Sequence, residues 1–158
     1  MQSPPPCSTL IIGYGNTLRS DDGAGQKIAE TVESWGLEGV SSLAVHQLTP
    51  ELAAEMAQSR QVIFVDVYPN TGDSNGVQVT PINPKNSHSP LGHASNPQSL
   101  LALCQVLYRV TPASYWVLIP AENFEFGESF SPLTTQNIPR ALEEIQMLLS
   151  RVEDYARS

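Results

Sequence analysis

Positive charge is scarce in this sequence, and the scarcity narrows the classes of partner that it can bind. The 158 residues contain 8 Lys and Arg against 16 Asp and Glu, which gives a formal net charge of −8. The Lys and Arg residues form no cluster. Phosphate backbones and anionic lipid surfaces bind grouped cations. We therefore expect neither a nucleic acid nor a membrane as a partner, and an acidic surface that mainly serves solubility.

Cysteine is also scarce, since Cys7 and Cys104 are the only two. Cys7 lies in a proline-rich segment and Cys104 lies within an apolar helical pattern, which does not indicate a disulfide framework. The start of the chain lacks the basic residues and apolar run of a signal peptide, and no later apolar run is long enough to cross a bilayer. The sequence predicts a soluble cytoplasmic protein with reduced thiols and with Cys104 in the core.

Apolar, β-branched runs alternate along the chain with helical patterns. We expect one domain over residues 1–158, with residues 1–8 flexible, because 158 residues with 41% hydrophobic content would leave a second core short of apolar area. The alternation predicts a three-layer α/β/α domain with a mostly parallel twisted sheet of about five strands, in an order that begins 2-1-3. The predicted strands cover 9–14, 40–46, 62–66, 76–82 and 115–119, and the predicted helices cover 24–32, 49–58, 97–110 and 138–155.

Two aspartates lie where the functional crevice of such a sheet is expected, beyond the carboxyl ends of neighbouring strands. Asp22 is in the loop after the first predicted strand, and Asp66 closes the apolar run of the third. Two carboxylates brought together repel, so the pKa of one is raised unless a cation or a shared proton intervenes. The pair therefore suits metal binding or acid–base chemistry.

The stretch GYGNTLRSDDGAG at residues 13–25 begins like a dinucleotide-binding loop but departs from that pattern. Leu18 replaces the third glycine, and the second predicted strand ends in His46 instead of an acid. We expect its glycines to shape the backbone. We expect Asp21 to cap the following helix, because aspartate is common at helix N-termini.

A third metal ligand is available from the polar loop at residues 83–98. This loop carries His88 and His93, and imidazole suits nickel or zinc. Taken alone, each histidine is better interpreted as a solvated loop residue than as a ligand.

Five motifs in order resemble the hydrogenase maturation endopeptidases, and the likeness spans residues 9–149. The resemblance implies a metal-contacting trio of Asp22, Asp66 and His93, with Asp22 and Asp66 as the catalytic residues and with His88 as a nearby rival to His93. Asn96 with Pro97 would cap the helix that follows His93. The motifs are GYGNTLRSDDGAG at 13–25, HQLTPEL at 46–52, VIFVD at 62–66, His93 with Pro97 and LLAL at 100–103, and FEFGESFS at 124–131.

In the last of these motifs we expect Glu125 and Glu128 to have a structural role. Gly127 would permit a turn, and Ser131 with Pro132 would start the last helix.

The resemblance implies an endopeptidase that removes the C-terminal extension of a nickel-loaded [NiFe]-hydrogenase large-subunit precursor. That precursor is the implied partner, and it would bring the nickel; no organic cofactor is implied. The acids would act either as a proton-sharing aspartic pair or as ligands of a metal that activates water or the carbonyl. A cysteine or serine nucleophile is disfavoured, because both cysteines lie outside the motifs and no G-x-S-x-G turn is present. The alternative is a nickel-binding assembly protein for hydrogenase that cuts nothing.

Overall fold

The computed structural model describes residues 7–72, 76–84 and 96–157, except for the side chains of residues 7, 8 and 153–157. A short 3-10 turn, Ser20–Gly23, precedes the first helix. The strands are β1 Cys7–Tyr14, β2 Val40–Val45, β3 Ser59–Pro69, β4 Gln78–Pro81 and β5 Ala113–Ala121, and the helices are α1 Ala24–Ser34, α2 Leu52–Met56, α3 Pro97–Tyr108 and α4 Pro132–Arg157.

The five strands form one sheet in the order β2-β1-β3-β5-β4. β2, β1, β3 and β5 run parallel, and β4 pairs antiparallel with β5 at one edge. The predicted α/β class, the mostly parallel sheet and the strand order beginning 2-1-3 are confirmed. The loops after β1 and β3 therefore emerge side by side at the same end of the sheet.

Both faces of the sheet are covered by helices, as the four apolar residues at 62–65 predict for a strand buried on both sides. On one face, Phe64 belongs to a core with residues of α2 and α3, including the free and fully buried Cys104. On the other face, Ile63 belongs to a core with residues of α1 and α4, such as Ile28 and Ile145. The prediction that Cys104 lies in the core is confirmed.

Strand β3 is longer than its apolar run indicates. Asp66 was expected to end the strand, but β3 continues to Pro69 because it stays paired with β5 as far as Ala121. On its other side β3 loses its partner earlier, since the last pairing with β1 is Gly13 with Val65. Asp66 is therefore the first residue of β3 that no longer pairs with β1. The side of Asp66 towards β1 is thereby open to the crevice.

The first residues of α3 and α4 agree with the predicted helix starts. The Asn96 side chain accepts a hydrogen bond from the Ser99 backbone N–H at 2.8 Å, with Pro97 as the first helical residue. Helix α4 begins at Pro132, as Ser131 and Pro132 predict, and thus earlier than the apolar pattern that starts at residue 138. Within the described ranges, no helix has the length and apolar character needed to cross a bilayer.

Helix α1 approaches the sheet so closely that only glycine fits at the contact. A Cβ atom on Gly25 would lie 2.5 Å from the Val65 carbonyl oxygen and 2.7 Å from that of Tyr14. A Cβ atom on Gly13 would lie 1.9 Å from the Gly25 carbonyl oxygen. These glycines shape the backbone, as expected, and they bring the amino end of α1 against the ends of β1 and β3.

We expect Gly25→Ala to destabilise the protein by about 1 to 3 kcal/mol, because the added methyl group overpacks the contact with Val65 and Tyr14. The sign of the change in the free energy of unfolding tests this account, because glycine-to-alanine changes inside helices ordinarily stabilise a protein by up to about 1 kcal/mol. Urea unfolding measures the difference, with the exposed α1 residue Glu30 changed to alanine as the control. A Gly25→Ala variant as stable as the parent would contradict the close-packing account.

Candidate active site

A tight turn after β1 places the first acidic residues of the site. Gly15 has φ +141°, a conformation that favours glycine, and a Cβ atom there would lie 2.1 Å from the Asp22 carbonyl oxygen. The Gly15 N–H is shared between the carbonyl oxygens of Val45 and His46, each at 3.2 Å. The side chain of Gln26, in α1, donates to the Gly15 carbonyl at 2.7 Å. The turn is thus held between β2 and α1.

Asp22 is partly exposed and accepts one hydrogen bond from the turn. The backbone N–H of Asn16 donates to Asp22 Oδ2 at 2.7 Å. The Asn16 side-chain oxygen in turn accepts from the Leu18 N–H at 2.9 Å, which stabilises the loop by a local turn. One oxygen of Asp22 is therefore engaged by the turn, while the carboxylate keeps lone pairs for a ligand.

Asp66 lies in a more buried environment on the neighbouring strand. The Val67 backbone N–H and the Tyr14 hydroxyl lie near its carboxylate and favour the charged form. The pKa of Asp66 is raised from 3.8 to about 6, mainly by burial. The negative charge of Asp22 also raises this pKa, whereas the Val67 N–H and the Tyr14 hydroxyl lower it. Asp66 thus sits near its protonation midpoint at mildly acidic pH, whereas an ordinary aspartate is fully ionised there.

The structure brings the two predicted acids together. Asp22 and Asp66 interact electrostatically, and the charges of both also act on Tyr14. Burial, followed by the charge of Asp66, strongly raises the pKa of the Tyr14 hydroxyl, so this group stays protonated and donates. The repulsion expected between the acids is therefore present in the fold.

The third predicted ligand is not tested. His93 and its rival His88 lie outside the described residues, so the predicted trio stays a prediction. Among the residues that the structure describes, no group of three His, Cys, Asp or Glu side chains could hold a metal ion. The two carboxylates fit a divalent cation in chemistry and charge, because they supply oxygen ligands and their repulsion would be relieved by binding.

Asp21 does not cap α1, and this part of the sequence interpretation was wrong. Neither the 3-10 turn nor α1 has a side-chain cap hydrogen bond. The fully buried Asp21 carboxylate instead accepts the backbone N–H groups of Glu122, Asn123 and Ser131 at 2.7 to 2.9 Å, and the Ser131 hydroxyl at 2.8 Å. It ties the loop after β1 to the loop after β5.

The pKa of Asp21 is lowered below its ordinary 3.8. Burial alone would raise it, but the hydrogen bonds from Ser131, Glu122 and Asn123 stabilise the charged form and outweigh burial. The consecutive residues Asp21 and Asp22 therefore have different roles. Asp21 is a saturated structural anion, and Asp22 is available to the crevice.

The two loops also pair through their backbones. Arg19 and Gly127 form an isolated parallel bridge, the Ser20 N–H donates to the Gly127 carbonyl at 2.8 Å, and the Gly127 N–H donates to the Leu18 carbonyl at 2.8 Å. A Cβ atom on Gly127 would lie 3.2 Å from the Ser20 hydroxyl, which explains the glycine. Phe126, beside the bridge, is 87% exposed.

Glu125 and Glu128 are exposed in this segment. The Glu125 carbonyl oxygen accepts the Ser20 hydroxyl at 2.8 Å, a backbone contact that agrees with the structural role predicted for the segment.

Tyr14 was missed as part of the site. It was interpreted only as an apolar end to the first strand. A signal was present in the sequence, because Tyr14 and Asp66 each end the apolar run of a parallel strand. Residues at equivalent ends of adjacent strands become neighbours once the register is set.

Solved structures of hydrogenase maturation proteases share this fold. A hydrogenase maturating endopeptidase HybD from E. coli matches with a TM-score of 0.72 and 20% identity, over 91% of this chain and 93% of that chain. A [NiFe] hydrogenase maturation protease HybD from Thermococcus kodakarensis matches with a TM-score of 0.71 and 19% identity, over 89% and 98%. A [NiFe] hydrogenase maturation protease HycI from Thermococcus kodakarensis KOD1 matches with a TM-score of 0.68 and 18% identity, over 91% and 93%.

The sequence comparisons find no such relative: no protein-family model matches the chain, and no curated protein matches it significantly. The structural neighbours have the fold implied by the five motifs, and at 14 to 20% identity they establish that shared fold.

We expect Asp21→Asn to destabilise the protein by roughly 2 to 4 kcal/mol, because the amide cannot replace the charge-assisted bonds to three backbone N–H groups. The folded-state pKa of Asp21 is lowered, so its stabilisation is present above about pH 4 and is lost as the pH falls through the folded value. Urea unfolding from pH 3 to pH 8 should therefore show that the difference in the free energy of unfolding between parent and variant becomes smaller below about pH 4.

The matched control is Asp22→Asn, one residue along the chain. It should change the free energy of unfolding by less than about 1 kcal/mol, because it removes one partner of a repulsive pair. Equal losses for the two variants would contradict the assignment of different roles to Asp21 and Asp22.

Proposed function

We propose that this chain is an endopeptidase that removes the C-terminal extension of a nickel-loaded [NiFe]-hydrogenase large-subunit precursor in the cytoplasm. The observation that carries the proposal is the convergence of Asp22 and Asp66 at the crevice of a fold shared with hydrogenase maturation proteases. Five motifs that resemble that family lie on the same fold, and two of them contribute these acids. Fold likeness and site chemistry thus support the same activity.

The precursor would bring the cation that the acid pair attracts. Asp22 and Asp66 repel each other in the protein alone, and the carboxylate of each keeps lone pairs free. A nickel ion carried by the precursor would relieve that repulsion, with His93 as the third ligand. Binding of the precursor would then be strong only after nickel loading, and cleavage would be restricted to the nickel-loaded precursor.

Two chemical roles for the acids remain alternatives within the proposal. In the first, Asp66 holds a proton near its pKa of about 6, and Asp22 takes a proton from water as the water oxygen attacks the scissile carbonyl carbon. Asp66 then gives its proton to the amine nitrogen as the C–N bond breaks. In the second, both acids are ionised ligands of the nickel of the substrate. The raised pKa of Asp66 supports the first role without metal, whereas a bound cation would displace that proton and support the second.

We expect the protein to release a C-terminal peptide from nickel-loaded large-subunit precursor, and Asp22→Ala and Asp66→Ala to abolish this release. Removing either carboxylate from a repulsive pair should leave the fold intact. Mass spectrometry of the precursor measures cleavage, and thermal unfolding verifies the fold of each variant. Glu30→Ala, an exposed change on α1, is the active control.

The outcomes separate the alternatives. An Asp66→Ala variant that still cleaves would refute the catalytic assignment, and nickel-free precursor cleaved at the same rate would refute nickel gating. Metal transfer to or from the precursor at unchanged mass would support the non-proteolytic assembly protein instead.

We expect His93→Ala to weaken nickel-dependent binding of the precursor more than His88→Ala does. The expectation follows from the motif spacing, in which Pro97 and the Leu100–Leu101 pair follow His93. Titration calorimetry with nickel-loaded and with nickel-free precursor measures the nickel-dependent part of the binding affinity for each variant. The reverse order would show that His88 is the ligand.

A further inference from the structure

Tyr14 lies beside Asp66 because of the sheet register. Gly13 of β1 pairs with Val65 of β3, so the next residue on each strand is Tyr14 and Asp66. Tyr14 is the last residue of β1, and its side chain is 9% exposed within the core beneath α2 and α3. The phenol ring therefore fills a core position while its hydroxyl reaches the acid.

A buried hydroxyl is costly unless it has a hydrogen-bond partner. The Tyr14 hydroxyl lies beside the Asp66 carboxylate and acts on it as a donor. An ionised carboxylate can only accept, so the hydroxyl hydrogen of this pair belongs to Tyr14.

Two donors therefore act on the Asp66 carboxylate, namely the Tyr14 hydroxyl and the Val67 backbone N–H. A carboxylate offers about four lone-pair sites, so these donors leave about half of them free. Donors at these two positions restrict the rotation of a carboxylate about its Cβ–Cγ bond.

We infer that Tyr14 is a positioning residue that holds the Asp66 carboxylate in one orientation, so that Asp66 presents a fixed oxygen edge to the nickel of the substrate. The inference rests on the proposed function, and it assigns to Tyr14 a role that packing does not need. A phenylalanine would fill the same core volume without a polar group to bury. The function of the hydroxyl is therefore its effect on the Asp66 carboxylate.

The test compares Tyr14→Phe with Tyr68→Phe. Tyr68 is two residues beyond Asp66 on the same strand, and its hydroxyl donates to the Gly76 carbonyl at 2.6 Å. Both variants lose one phenol hydroxyl, buried at Tyr14 and partly buried at Tyr68. Thermal unfolding verifies the fold, titration calorimetry measures Ni²⁺ binding to each protein alone, and cleavage of nickel-loaded precursor gives kcat and KM.

We expect Tyr14→Phe to weaken Ni²⁺ binding and to lower kcat/KM by about 10- to 100-fold, the usual range when a partner of a metal-ligating side chain is removed. Tyr68→Phe should leave both within about twofold of the parent, whatever it does to stability. A Tyr14→Phe variant with parental Ni²⁺ affinity, kcat and KM would overturn the inference.

The results also separate this inference from the proposed function. If the parent binds Ni²⁺ but does not cut the precursor, and Tyr14→Phe weakens that binding, the proposed function falls and the positioning role stands. If the parent cuts and Tyr14→Phe cuts equally well, the function stands and the positioning role falls. A parent that neither binds Ni²⁺ nor cuts overturns both.

Discussion

The buried carboxylate of Asp21 is the constraint on which the geometry of the candidate site depends. It accepts hydrogen bonds from Glu122, Asn123 and Ser131, and so joins the loop after β1 to the loop that leads into α4. Because Asp22 is the next residue, fixing Asp21 also fixes the backbone from which the Asp22 side chain reaches the crevice. The glycines of the same segment contribute by letting α1 pack against β1 and β3. The site is therefore rigid on the side of the first loop.

Asp22 and Asp66 have different environments although they share one crevice. Asp22 lies on a turn, partly exposed, with its Oδ2 held by the Asn16 N–H. Asp66 lies among buried side chains, where desolvation raises its pKa to about 6. A carboxyl with a raised pKa is the usual means by which a site keeps a proton at mildly acidic pH. Asp66 can therefore hold a proton there before any cation enters.

Local patterns predicted most of the fold and both acids, while contacts across long sequence separations escaped prediction. Strand β3 and its acid were evident because four apolar residues precede Asp66, and a parallel sheet then places Asp66 near Asp22. The role of Asp21 was misjudged because its partner Ser131 is 110 residues away, and a helix cap is the commoner role for an aspartate in that position. The role of Tyr14 depends on the strand register, and a hydrophobic pattern alone does not define the register to within one residue. The continuation of β3 to Pro69 likewise depends on its pairing with β5.

The arrangement links stability to selectivity. Burying Asp66 and placing it near Asp22 costs free energy in the protein alone, and both effects raise the pKa of Asp66, burial more than the charge of Asp22. The saturated Asp21 and the close packing of α1 offset it without neutralising the acids, because neither places a positive group in the crevice. Under the proposed function, a substrate that carries a divalent metal would relieve the repulsion, whereas the same polypeptide without metal would leave it in place. Selection of the nickel-loaded precursor would then follow from electrostatics at two side chains, with no need for a separate element that senses the metal.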